Sequence, residues 1–215
     1  MIAERLVPSP DMTERRPYDG VKRLMDLGLS AVGLLILSPL LVSISALITF
    51  GSPGGVWYRG VRVGRQGRLF RIWKFRTMRT DVVDGPTSTA EEDPRITSVG
   101  HVLRRYKLDE LPQLLNVLGG EMSLVGPRPQ VPWAVETYTP IERRVLTVRP
   151  GISDWASIRF QDEGAILKNQ KDPDEAYMRL IHPEKMRLAL EYVERRSLRV
   201  DLSIILKTLA VTMKP

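Results

Sequence analysis

GLLILSPLLVSISALITF, residues 33–50, is the stretch whose reading decides the architecture. It closes an uncharged run of 24 residues from Leu27 to Phe50, and about 20 apolar residues suffice for a helix to cross a hydrocarbon core. Ser38-Pro39 lies at the centre of the run. Proline cannot donate to the carbonyl four residues back, here that of Leu35, and its ring clashes there, a cost of about 3 kcal/mol in a helix interior. Ser38 can back-bond to an i−4 carbonyl and deepen the bend. The segment either crosses a membrane with a kink or enters it and returns.

The flanking charges weigh against a crossing. Arg15, Arg16, Lys22 and Arg23 precede the run, and Arg59, Arg62, Arg65 and Arg68 follow it. Lys and Arg near the ends of a membrane segment prefer the cytoplasmic side. Four against four gives no direction for a crossing and no conflict if both ends are cytoplasmic. Pro kinks also occur in true spanning helices, so the re-entrant reading rests on kink and symmetry together. A cleaved signal peptide fits poorly, because its apolar region runs about 7–15 residues and 26 mostly polar residues come first here.

Beyond this segment the 215 residues suit one ordinary domain with an appendage. A 43% hydrophobic and 27% charged composition is that of a globular chain. Net charge is +7, which points to an anionic partner: nucleic acid, an anionic membrane surface or phosphorylated small molecules. There is no cysteine, which excludes disulfide scaffolds, thiolate metal sites and cysteine nucleophiles. His101 and His182 are too few and too far apart in sequence for a His-rich zinc site. The basic residues are scattered rather than striped and no recognition module fits, so nucleic acid is not expected as a partner.

Residues 1–20 read as a tail and 21–52 as the membrane helix, stopped by GSPGG at 51–55. VWYRGVRV and RLFRIWKF bracket GRQG and read as two strands joined by a tight turn. DVVDGPTSTAEED, 81–93, has little to bury and reads as a mobile acidic loop. Thr97 or Ser98 can cap a short helix, VGHVLRRYK. A second helix is expected from Pro112 to Gly119-Gly120, and EMSLVGPRPQVP follows as a proline-braced loop. Residues 133–146 and 184–196 have helical character. LRVDLSIILKTLAVTM, 198–213, has a large apolar face but is too short to span; it suits an interfacial helix or a core-docked one.

Several clusters carry potential chemistry. Asp109-Glu110, an ordinary solvated pair if isolated, stands just before Pro112 at the amino end of an apolar helix, where anions are favoured. Such a pair can hold a divalent cation against a phosphate, and an Asp can accept a phosphoryl group. The prolines of Gly126-Pro127-Arg128-Pro129 fix the backbone around Arg128, as a rigid phosphate clamp requires, although a surface turn would look the same. Strand alternation puts Lys74 and Arg76 of KFRTM on one face. Arg95 of DPRIT adds to a positive rim on a turn that leads into a helix. Lys22, Arg23 and Asp26 read as interfacial anchors, the bases on lipid headgroups and Asp26 paired with either of them.

In order, KRLMD, the apolar run with Ser38-Pro39, KFRTM, DPRIT, LDELPQLLNVL, EMSLVGPRP and RPGIS resemble the bacterial monotopic phosphoglycosyl transferases, often called bacterial sugar transferases. The resemblance covers about residues 21–210 and matches the small, minimal form. It implies an α+β, mostly helical fold: a re-entrant membrane helix broken at Ser38-Pro39, a small β-hairpin, a compact cytosolic catalytic domain over 53–197 and an amphipathic interfacial helix over 198–215. It also implies transfer of a phosphosugar from a UDP-sugar to polyprenol phosphate, with UMP released, on the cytoplasmic face of the bacterial inner membrane. By analogy Asp109 is the nucleophile, Glu110 assists, and Mg²⁺ bridges the two. Arg128 binds phosphate, with Lys74, Arg76 and Arg95 in support. The resemblance leaves a homodimer open. Where many members read close to TGWAQV after Pro150-Gly151-Ile152, this chain has SDWASIRFQDEGAIL, so Asp154 and Glu163 are expected to bear on substrate choice, or to belong to a structural loop.

Overall fold

The computed structural model describes residues 18–79, 93–160, 166–167 and 172–212. The acidic segment before Asp93 and Glu163 lie outside the described residues.

Helix α1 runs Tyr18–Gly51 and passes through Pro39 without interruption. At 1.5 Å per residue its 34 residues measure about 51 Å, well beyond a hydrocarbon core of roughly 30 Å. Pro39 leaves the Leu35 carbonyl without its amide donor, and Ser38 Oγ donates to that oxygen at 2.8 Å. The back-bond reaches three residues back rather than four. Ser43 and Ser45 bond likewise to the carbonyls of Pro39 and Leu41. The carbonyl that Pro39 leaves without a donor is thus satisfied from within the helix.

The helix docks on the rest of the chain near its two ends. Asp26, Ser30, Ile44 and Ile48 are buried, whereas Leu35, Ile36 and Val42 around the Ser-Pro step are about 70% or more exposed as isolated apolar surface. At the first end Arg23 donates to the carbonyls of Val117 at 2.6 Å and Leu118 at 3.0 Å. Asp26 accepts from the Leu124 amide at 3.1 Å, and Lys22 pairs with Asp201 at 2.8 Å. Asp26 thus accepts from the Leu124 amide where the sequence suggested Lys22 or Arg23, and both basic side chains are engaged by the chain itself. The carbonyls that end a helix have no amide partners, and Arg23 supplies donors to them.

After α1 the chain forms a hairpin split into two short ladders. Strand β1 (Trp57–Tyr58) pairs antiparallel with β4 (Lys74–Phe75), and β2 (Val61–Val63) with β3 (Leu69–Arg71). The turn holds Gln66 and Gly67 at positive φ. Phe75 packs with Ile44, Ile48 and Leu103, while Phe70 and Ile72 pack with Val117 and Met122. Helix α2 (Ser98–Arg105) is capped by Thr97, whose hydroxyl accepts from the Gly100 amide.

A 3-10 helix over Leu108–Gln113 leads into α3 (Leu114–Gly119), which ends on Gly120 in the left-handed region. The expected helix from Pro112 is therefore two elements, and the acidic pair sits inside the first. Strand β5 (Ser123–Val125) pairs in parallel with β6 (Gly151–Ser153), where the sequence suggested only a loop. Gly126 and Gly151 make this pairing possible, since a Cβ on either would collide with backbone of the other segment.

The expected helix over 133–146 is also divided, into α4 (Pro132–Glu136) and a 3-10 helix over Glu142–Thr147. Pro140 lies in the gap and pushes Thr139 out of the helical region. Then come α5 (Trp155–Arg159), α6 (Pro173–Leu180), α7 (His182–Arg195) and α8 (Leu198–Thr212). Helix α8 docks by Asp201 and Ile204, both fully buried, and leaves Leu202, Leu206 and Leu209 exposed on its other side. Tyr192 of α7 donates to Asp201 at 2.8 Å, which ties α8, α7 and α1 at one carboxylate.

Candidate active site

The hairpin and the 3-10 helix meet at Asp109-Glu110. Both carboxylates are buried, at 6% and 9% exposure. Lys74 projects from β4 between them, its Nζ 3.3 Å from Asp109 Oδ2 and 2.8 Å from Glu110 Oε1. Arg128 approaches from the opposite side and donates through both Nη atoms to the two Glu110 oxygens. Burial pushes the Glu110 carboxyl up, but the Arg128 and Lys74 charges and their hydrogen bonds outweigh it and hold the group well below the usual carboxylate range. A carboxylate fixed in this way stays ionised, whereas Asp109 meets Lys74 by a longer contact.

Each wall has a local cause. Asn116 is buried, accepts from the Trp73 amide at 2.8 Å and donates to the Arg71 carbonyl at 3.0 Å. It thereby fixes the strand from which Lys74 extends. Arg128 lies just beyond the Gly126–Gly151 approach, so the parallel pairing of β5 and β6 aims the loop at the dyad.

Not every expected residue joins this centre. Arg76 is buried and donates to the carbonyls of Gly55, Pro53 and Ser52, where α1 gives way to the hairpin. Its backbone still follows the ladder, the Arg76 amide donating to the Val56 carbonyl at 2.8 Å, but those three carbonyls engage the guanidinium away from the dyad. Arg95 forms a forked pair with Asp93 in the turn before α2. Asp154 caps α5 by accepting from the Ser157 amide. It also lines, with Arg128, Gln130, Tyr177, His182 and Lys185, a small crevice on the far side of Arg128.

Two residues near the dyad escaped the sequence reading. Arg104, in the last turn of α2, is held below its ordinary value by burial, against the opposing charges of Asp109, Asp93 and Glu110. Its guanidinium makes no hydrogen bond or ion pair with a described residue. Gln113 is 1% exposed, and its Nε2 has no hydrogen-bond partner among the described residues. The signals available were spacing alone: Arg104 stands one capped turn before the pair, and Gln113 one 3-10 turn beyond Glu110.

Whether the dyad suits a divalent cation follows from its donor set. Two adjacent carboxylates stand against Lys74 and Arg128, and no group of three or more acidic or histidine ligands exists among the described residues. That set fits an ion shared with a substrate phosphate, as Mg²⁺ commonly is, rather than one held by protein alone.

The chain matches the bacterial sugar transferase family over residues 17–215. It is 37% identical over 201 residues to the UDP-glucose:undecaprenyl-phosphate glucose-1-phosphate transferase of Escherichia coli (strain K12), an alignment covering 89% of this chain and 41% of the relative. Against the UDP-N-acetylgalactosamine-undecaprenyl-phosphate N-acetylgalactosaminephosphotransferase of Aeromonas hydrophila it is 35% identical, covering 95% and 45%. Against the exopolysaccharide production protein ExoY of Rhizobium meliloti (strain 1021) it is 35% identical, covering 90% and 86%. The chain thus spans less than half the length of the first two relatives. With a match over nearly its whole length and a dyad framed by KFRTM, LDELPQ and VGPRP, the chain belongs to the bacterial sugar transferase family.

Proposed function

We propose that this chain transfers a sugar phosphate from a UDP-sugar to polyprenol phosphate in two displacements through Asp109. In the first, an Asp109 oxygen attacks the β-phosphorus. The bond from that phosphorus to the bridging oxygen breaks, and UMP leaves with the bridging oxygen. In the second, a phosphate oxygen of the polyprenol phosphate attacks the same phosphorus and the bond to Asp109 breaks. The carboxylate is restored, the product is polyprenol-diphosphate-sugar, and neither displacement needs a base because each nucleophile is already anionic.

The observation that carries this reading is the unequal grip on the two acids. Among the described residues Glu110 is engaged by Arg128 and Lys74 together, while Asp109 has one polar contact, to Lys74 at 3.3 Å. The group left freer is the better nucleophile. Lys74 and Arg128 supply charge to the phosphoryl oxygens, and Arg104, with donors to spare, is placed to take a further phosphate oxygen. Bound between Asp109 and Glu110, Mg²⁺ would supply charge neutralisation of the diphosphate.

The re-entrant path of α1 belongs to the same proposal. Both ends of the apolar helix dock on one domain, through Arg23 and Asp26 at one end and Ile44 and Ile48 at the other, while the Ser38-Pro39 region is bare. A domain that holds both ends is most simply placed on one side of the bilayer, the cytoplasmic side where nucleotide sugars are made. Single cysteines at Tyr18 and Gly55, in a chain with no other cysteine, report this topology: labelling of both from one side is expected, and labelling from opposite sides refutes it. The catalytic reading is tested by UMP release from a panel of UDP-sugars with polyprenol phosphate and Mg²⁺. Asp109→Asn should abolish release while leaving membrane association intact.

A further inference from the structure

The ladder of β1 and β4 has two faces. Lys74 extends from one toward Asp109-Glu110; Trp57, Trp73 and Phe75 belong to the other. On that second face the Trp57 ring stacks on Phe75 at 5.1 Å and meets Trp73 edge-on at 5.6 Å. The Arg59 guanidinium lies over Trp73, its Cζ 3.3 Å from the ring centroid. Among the described residues its buried Nε has no hydrogen-bond partner, and none forms an ion pair with it. Trp57 is 43% exposed although it is a large aromatic residue.

The position of this platform is fixed by its neighbours. Phe75, beneath Trp57, packs against Ile44 and Ile48 of α1. Arg76, next along the chain, holds the carbonyls of Ser52, Pro53 and Gly55, just past the end of the apolar helix. Trp and Tyr concentrate where apolar and aqueous layers meet. The surrounding charge has one sign: no acidic residue occurs between Asp26 and Asp81, while Arg62, Arg65, Arg68 and Arg71 continue along the hairpin. A guanidinium stacked on an indole, in a field of positive charge at the foot of an apolar helix, suits a phosphate at the membrane surface.

We propose that Arg59, Trp57 and Trp73 form a binding site for the phosphate of an anionic phospholipid headgroup, separate from the dyad and across the ladder from Lys74. The bound headgroup would fix the depth at which β4, and therefore Lys74, rests against the bilayer. This assignment needs α1 to engage the membrane but is independent of catalysis, and its test does not measure turnover.

The test uses the full chain in nonionic detergent with Trp133→Phe and Trp155→Phe, so that Trp57 and Trp73 are the only indoles. Short-chain phosphatidylglycerol is expected to shift their fluorescence saturably. Arg59→Gln should weaken the apparent affinity about tenfold or more, since both the charge-assisted bonds and the stacked cation are lost. Arg59→Lys, with circular dichroism to confirm folding, should fall between, because a lysine keeps charge without the flat fork. Equal titrations for the parent and Arg59→Gln would overturn the site. So would an equal response to inorganic phosphate at the same concentration, which marks a free-anion site, or a response to polyprenol phosphate alone, which marks a substrate site. A failed catalytic reading would leave these titrations unchanged.

Discussion

Lys74 Nζ lies 3.3 Å from Asp109 Oδ2 while sitting 2.8 Å from Glu110 Oε1. One ammonium on a two-residue strand therefore touches both acids of the dyad, and it leans toward the one proposed not to react. If Lys74 serves the phosphoryl group as its charge develops, Lys74→Met should lower kcat about 10²–10³-fold, the usual cost of one preorganised electrostatic group. A steady-state assay checks this; a change confined to KM would place Lys74 in substrate binding alone.

Glu110 sets an acid limit on stability. Its folded pKa lies well below its ordinary value of 4.5, so its contribution is fully present above that value. The contribution is lost as pH falls through the folded pKa, because the unfolded chain takes up the proton first. Thermal unfolding of the detergent-solubilised chain should decline more steeply below about pH 4.5 for the parent than for Glu110→Gln. Parallel curves would contradict the assignment.

Asp201 joins three helices, accepting from Lys22 at 2.8 Å and from Tyr192 at 2.8 Å while fully buried. Asp201→Asn leaves Lys22 without its counter-charge, and breaking such a pair costs about 3–5 kcal/mol. A lowered unfolding midpoint is expected, with earlier protease cleavage between α7 and α8. Parent-like behaviour would show that α8 is held by its apolar contacts alone.

Much of this arrangement was legible in sequence because it is local. Thr97 capping α2, the turn around Gly67 and the acidic pair just before Pro112 each follow from a few neighbouring residues. What escaped depends on long-range partners. Arg76 looked like a phosphate-facing partner of Lys74 because its spacing matches a strand, yet its guanidinium is taken by the carbonyls of Ser52, Pro53 and Gly55, more than 20 residues back. Lys22, Arg23 and Asp26 looked like lipid anchors because they flank an apolar run, yet their partners lie 94 to 179 residues away. The parallel pairing of β5 with β6 was hidden for the same reason, and only the steric demand at Gly126 and Gly151 betrays it.

The central claim is that Asp109 carries the phosphosugar. Intact-protein mass spectrometry after acid quench, with UDP-sugar and Mg²⁺ but no polyprenol phosphate, measures it directly. The account predicts a mass increase equal to one sugar phosphate, mapped to the peptide containing Asp109, discharged by polyprenol phosphate and absent from Asp109→Asn. An adduct that persists in Asp109→Asn, or turnover in that variant at the parent rate, would contradict it.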